Sequence, residues 1–176
     1  MSNAGETSSD QAPESNRRVV VHPSAMVPGI PSFLFDVPEG WIVDEGPSAL
    51  CVVRRPQAVN GFWTNAILRH DKVPREVDFE RAAKTTWAKL QKTYPDVVER
   101  GEKLVRFDTN VAYVRGADLT ADGQPLAQIQ AMFFAPVSGG GKVVDFFQII
   151  GTSLRDAGLQ RNMNDITAMI ASFRFL

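Results

Sequence analysis

The sequence predicts an α+β fold, a largely antiparallel β-sheet flanked by helices, and three observations carry that prediction. Apolar residues recur three or four apart over residues 78–94 and again over 158–173, the spacing of one helix face. Almost everything else consists of short β-branched or aromatic runs between turn signals. Strands gathered in runs, each followed by a helix, describe a segregated order rather than alternating βαβ units.

Residues 1–16 are polar and hold too little apolar surface to offset the entropy of ordering them. A disordered tail is therefore expected over 1–17 and a single domain over 18–176. The domain is expected to open on Arg18 and the β-branched run Val19, Val20, Val21, after which Pro28, Gly29 and Pro31 break the chain. Residues 33–37 read as a short strand stopped by the Pro38-Glu39-Gly40 turn, and 41–43, 49–54 and 62–70 follow as strands. In the last of these Phe62, Ala66 and Leu68 are expected on one side, Trp63, Asn65 and Ile67 on the other.

The period then changes. Phe79, Ala83, Trp87, Leu90 and Tyr94 line one helix face, with Asp78 as N-cap and Pro95 as the stop. Four more strands are expected at 97–107, 111–119, 126–135 and 142–150. The first is polar enough for a sheet edge, and Asp122-Gly123 supplies a tight hairpin before the third. The last two are apolar on both sides, which places them at the sheet centre under cover from both faces. Leu159, Met163, Ile166, Ile170 and Phe173 form the apolar stripe of the final helix, and 172–176 are expected as a short extension packed on the sheet.

Composition narrows the function classes. A chain of 176 residues with 44% hydrophobic residues suits one core, and a net charge of -1 offers no electrostatic case for nucleic acid or an anionic membrane. The single cysteine, Cys51, permits neither an internal disulfide nor a thiolate zinc cluster, and its alternation with apolar neighbours points to a buried, inert thiol. No run reaches the roughly 18 apolar residues of a membrane span. With neither an apolar leader nor a lipidation cysteine near the start, the chain as written is expected to be cytoplasmic. Ser2-Asn3-Ala4 resembles a tag remnant, and a native secretion signal replaced there would make the origin secreted instead.

The strand and turn of Phe35-Asp36-Val37-Pro38-Glu39-Gly40-Trp41, the mid-chain helix, the aromatic strands and the closing Ile170-Ala171-Ser172-Phe173-Arg174 together resemble the PsbP-like superfamily. Within it the chain is most similar to the bacterial branches around LpqN and DcrB. The resemblance covers residues 31–176 and implies an α/β/α sandwich. That scaffold serves a photosystem assembly subunit, a Ran-binding factor, actinobacterial lipoproteins and secretion chaperones, so it implies binding without fixing what is bound.

Candidate sites are few. Ser138-Gly139-Gly140-Gly141-Lys142 departs from a phosphate loop: Pro136 stands where the first glycine belongs, Val143 follows the lysine, and the next element is a strand. A hairpin loop is the better reading. His70-Asp71 reads as an exposed polar strand end, since neighbours on a strand point to opposite faces, and His22 lies in an irregular segment. Arg54, Arg55 and Trp63 have the make-up of an interface hot spot. Gln128 and Gln130 share a strand face with Met132 and Phe134, as a cleft floor under a helix would. No motif calls for a cofactor or a metal. The leading expectation is a non-enzymatic, protein-binding or chaperone-like module, possessing a protein partner and linked to secretion or the cell envelope. The alternative is a carrier of a hydrophobic ligand or lipid, using a pocket lined by Met132, Phe134 and Phe146.

Overall fold

Antiparallel pairing between strands close in sequence builds most of the architecture. The computed structural model describes residues 23–24, 28–108, 110–137 and 140–176. The expectations for the tail, for Arg18 to Val21, for His22, and for Ser138 and Gly139 lie outside the described residues. The chain divides into two units, Met1–Ile30 and Pro31–Leu176, and all elements below belong to the second.

In order, these are β1 (Phe33–Leu34), β2 (Ile42–Asp44), β3 (Cys51–Arg54), β4 (Asn65–Pro74), α1 (Phe79–Thr93), β5 (Val98–Phe107), β6 (Asn110–Ala121), β7 (Gln124–Phe134), β8 (Val143–Leu154), α2 (Leu159–Ser172) and β9 (Arg174–Phe175). Seven strands form one antiparallel sheet in the order β2-β3-β4-β8-β7-β6-β5. The doubly apolar β8 is its central strand with β7 beside it, and the polar β5 is an edge. Strands β6 and β7 are joined by Asp122 and Gly123, both at positive φ (50° and 75°), the conformation a two-residue hairpin requires.

One helix packs on each face. α1 begins where Asp78 accepts a hydrogen bond from the Arg81 backbone N–H (2.9 Å) and ends at Tyr94, before Pro95. On its face Ala82 and Ala83 pack with Tyr113, Met132 and Phe146. On the other face α2 sends Ile166, Met169 and Ile170 into the main core, against Leu68, Phe133, Phe147 and Ile149. Each such buried side chain contributes about 1.5–3 kcal/mol relative to exposure.

The extension expected at 172–176 packs on the large sheet, and its β9 does so without joining that sheet. It pairs with β1 as a separate two-stranded ribbon, Phe33 opposite Phe175, which seats Phe33, Phe173 and Phe175 in edge and stacked contacts around Phe147. Three strands run further than expected: β4 continues to Pro74, β6 to Ala121 and β8 to Leu154. Backbone pairing with long neighbours carries them on to Val73, Ala121 and Leu154, apolar residues beyond the expected ends.

The close approach of α2 depends on Gly151. A Cβ there would run into Ile166 Cγ2 and come within 3.2 Å of Ile129 Cγ2. Gly151→Ala is expected to lose about 1–3 kcal/mol through overpacking. Urea unfolding should show this as a lower midpoint with an unchanged slope.

Candidate functional site

Strand parity decides which side chains share the α1 face of the sheet. Register places Gln128, Thr152 and Asn65 on one rung across β7, β8 and β4. The next rung on the same face holds Gln130, Ile150 and Ile67, and the one after it Met132, Gln148 and Arg69. α1 covers Met132 on the β6–β7 side, and the remaining side chains of these rungs form the floor of a cleft of about 630 Å³. Thr86, Lys89, Leu90 and Tyr94 of α1 make one wall, and Phe62, Asp122 and Gln124 close the end near the β6–β7 turn.

The position of α1 is set by Arg115, a buried residue of β6. Its Nη1 donates to the carbonyl of Ala83 inside the helix (3.0 Å), and its Nη2 donates to Glu102 Oε2 (2.7 Å) and the Tyr113 hydroxyl (2.8 Å). Nε lies 3.0 Å from Glu99 Oε2, close enough for an ion pair but off the line of a hydrogen bond. The guanidinium also sits 4.9 Å from the Trp87 ring centroid, a favourable cation–π distance.

The floor is amide-rich, and its hydrogen bonding is incomplete. Gln130 Nε2 donates to Gln128 Oε1 (2.7 Å), and Gln128 Nε2 donates to Thr152 Oγ1 (3.3 Å). Asn65 Nδ2 donates to the Trp63 carbonyl (2.8 Å) and Gln124 Nε2 to the Asn60 carbonyl (2.9 Å). Among the described residues four buried side-chain polar atoms have no hydrogen-bond partner, and three of them, Asn65 Oδ1, Gln124 Oε1 and Gln130 Oε1, belong to this cleft. Buried polar atoms are ordinarily paired, so three unmet acceptors on residues lining one cleft set it apart from the rest of the described structure.

The candidate residues from the sequence fall into separate places. Gln128 and Gln130 are on the cleft floor. Met132 is not: it has 0% exposure and packs under α1 with Tyr113 and Phe146, while Phe134 fits between the rings of Phe79 and Phe146. The apolar pocket expected from Met132, Phe134 and Phe146 is therefore filled core, because Ala82 and Ala83 let the helix settle directly onto it. Arg54 and Arg55 point to opposite faces. Arg54 pairs with Asp44 (2.9 Å) and lies 5.9 Å from the ring of Trp63, which is 47% exposed. Arg55 stacks on Trp41 (4.6 Å) and pairs with Asp165 of α2 (2.7 Å), a structural tie between β3 and that helix.

His70 also departs from the expected exposed strand end. Its ring is mostly buried, 4.9 Å from the Phe147 centroid, and its Nε2 lies 2.8 Å from Asp145 Oδ1. Asp71 faces the other way, into the cleft. Only the β4–β8 register, invisible in a lone sequence, brings Asp145 to His70 and Lys72. Cys51 is half-buried, and desolvation pushes its thiol above the usual range.

With the site described, solved structures can be compared with it. LpqN, involved in cell envelope biogenesis of Mycobacterium tuberculosis, superposes with a TM-score of 0.67 at 18% identity, over 88% of this chain and 87% of that one. CyanoP, the cyanobacterial PsbP of Synechocystis, gives 0.55 at 13% identity over 84% and 95%. The fold is PsbP-like. A protein of Bacteroides thetaiotaomicron gives 0.51 at 12% identity over 82% of this chain and 45% of its own. No family model and no curated protein matches the sequence. At such identities the likeness is one of fold, and the PsbP-like scaffold leaves the site to be argued from its own residues. Among the described residues no helix is long and apolar enough to cross a membrane.

Burial pushes the Asp145 carboxyl up, but hydrogen bonds from Lys72 and His70 outweigh it and hold the group below its usual 3.8. A depressed folded value stabilises the protein above the unfolded pKa and ceases to do so as pH falls through the folded one. Asp145→Asn is thus expected to cost about 1 kcal/mol at pH 7. The gap to the wild type should close progressively below the usual carboxylate pKa, measured by thermal melts from pH 7 to pH 2.

Proposed function

We propose that the protein is a non-enzymatic binding module whose ligand sits in the cleft beside α1. The observation that carries this reading is the set of unmet acceptors on Asn65, Gln124 and Gln130. Amides and hydroxyls dominate the floor, and such groups orient a ligand without exchanging protons at ordinary pH. The volume falls in the range of small-molecule sites. A cell-envelope setting is supported by the likeness to LpqN, and a cleft of this kind suits a protein that holds or hands on a molecule there.

A protein partner is the second reading, favoured by exposed Trp63 beside Arg54. Ile42, on the same rung as Arg54 and 39% exposed, extends that surface to the sheet edge. Tryptophan and arginine so placed are common centres of protein interfaces. The partner would present an apolar residue to the Trp63 ring. Trp63→Ala should then abolish capture of a partner that the wild-type protein retains, with the thermal midpoint unchanged; equal capture by both would remove this reading.

The cleft reading is tested with the ¹⁵N-labelled protein and a library of small polar fragments. Perturbed resonances are expected to cluster at residues 65–71, 124–130 and 148–152. Fragments that bind only outside those segments would contradict it.

A further inference from the structure

Resting on the cleft reading above, we propose that its ligand is a neutral, hydroxyl-rich ring, with the chemistry of a pyranose or a ribose. Such a ring would lie on Ile67 and Ile150 with its hydroxyls directed to Asn65, Gln124 and Gln130.

The amide orientations come first. Asn65 Nδ2 and Gln124 Nε2 each donate to a backbone carbonyl, which can only accept. Neither side chain can flip without setting oxygen against oxygen, so Asn65 Oδ1 and Gln124 Oε1 are fixed acceptors. Both are acceptors left without a donor among the described protein groups.

Gln130 adds a different requirement. It is only 5% exposed, and its free oxygen lies at the end of the chain Gln130 to Gln128 to Thr152. That chain ends on a hydroxyl, which both donates and accepts. It can therefore run in either direction, leaving Gln130 with a free acceptor in one and a free donor in the other. A ligand hydroxyl satisfies both states. An ammonium or a carboxylate satisfies one.

Charge and shape point the same way. The charged side chains lining the cleft are Arg69 and Lys89 against Asp71 and Asp122, two of each sign, so no net charge selects an ion. The floor sets an aliphatic rung, Ile150 and Ile67, between the polar rung of Gln128, Thr152 and Asn65 and that of Gln148 and Arg69. A sugar ring has the matching pattern, C–H faces with hydroxyls around the edge. A plain alkyl chain would cover the isoleucines and leave all three acceptors unmet. A peptide strand is recognised through a free sheet edge, whereas this floor is a sheet face whose backbone is already paired.

The test titrates the full ¹⁵N-labelled chain with maltose and adenosine as neutral rings. Glucosamine, glucuronate and a short alkyl glycol serve as cationic, anionic and apolar probes. The readout is the side-chain NH₂ resonances of Asn65, Gln124 and Gln130. Saturable shifts are expected with a neutral ring, maltose identifying a saccharide and adenosine a nucleoside, and binding about tenfold weaker for its charged counterparts. Asn65→Ala and Gln124→Ala should each weaken binding about tenfold, the effect of one hydrogen bond, with backbone spectra confirming the fold. Shifts with charged or apolar probes alone would overturn the ligand class and leave the cleft reading standing. No shift at these amides with any probe, nor with the polar fragments, would remove both.

Discussion

A single buried arginine holding a helix backbone is the interaction on which this architecture turns. Seven strands at about 4.8 Å spacing make a sheet close to 29 Å across, while a helix with its side chains is about 10–12 Å wide. One helix therefore covers two or three strands and leaves the rest of its face bare. Which strands are bare depends on where the helix is fixed. Arg115 fixes it over β6 by bonding to the Ala83 carbonyl, with Glu102, Tyr113 and Trp87 enclosing the guanidinium. The stretches of β4, β7 and β8 beyond Phe146 and Met132 are left uncovered, and their rungs become the cleft floor.

The two faces of the sheet are closed to different degrees. On the α2 face Gly151 admits Ile166, the β1–β9 ribbon brings in Phe33 and Phe175, and the Arg55–Asp165–Trp41 cluster ties helix to sheet. That side is closed by packing. On the α1 face the same strands present amides, hydroxyls and charges, and among the described residues three of the amide oxygens have no protein partner. The core on that face is confined to the clusters under α1, and the polar residues lie beside them on the uncovered part of the sheet.

How much of this was legible in the sequence depends on what each feature rests upon. Both helices, their ends at Asp78 and Pro95, the Asp122-Gly123 hairpin, the edge β5 and the central β7 and β8 follow from local pattern, which a linear chain displays directly. The PsbP-like resemblance was carried by the Pro38–Trp41 turn and the aromatic strands. Parity also put Asn65 and Ile67 on one face and grouped Gln128 with Gln130. What the sequence hides is register. Asn65 meets Thr152 and Gln128 only through pairing across 87 and 24 residues. The same applies to His70 with Asp145, and to Arg115 reaching back to Ala83. Met132 was placed with the glutamines because parity alone cannot say where a helix ends its cover.

The most direct test is a crystal structure at a resolution that shows ordered solvent, grown with and without a neutral sugar. The account predicts an open cleft in both, with a water or a ligand hydroxyl within about 3 Å of Asn65 Oδ1, Gln124 Oε1 and the free atom of Gln130. A cleft closed by α1 side chains, with those three amides paired to protein groups, would contradict it.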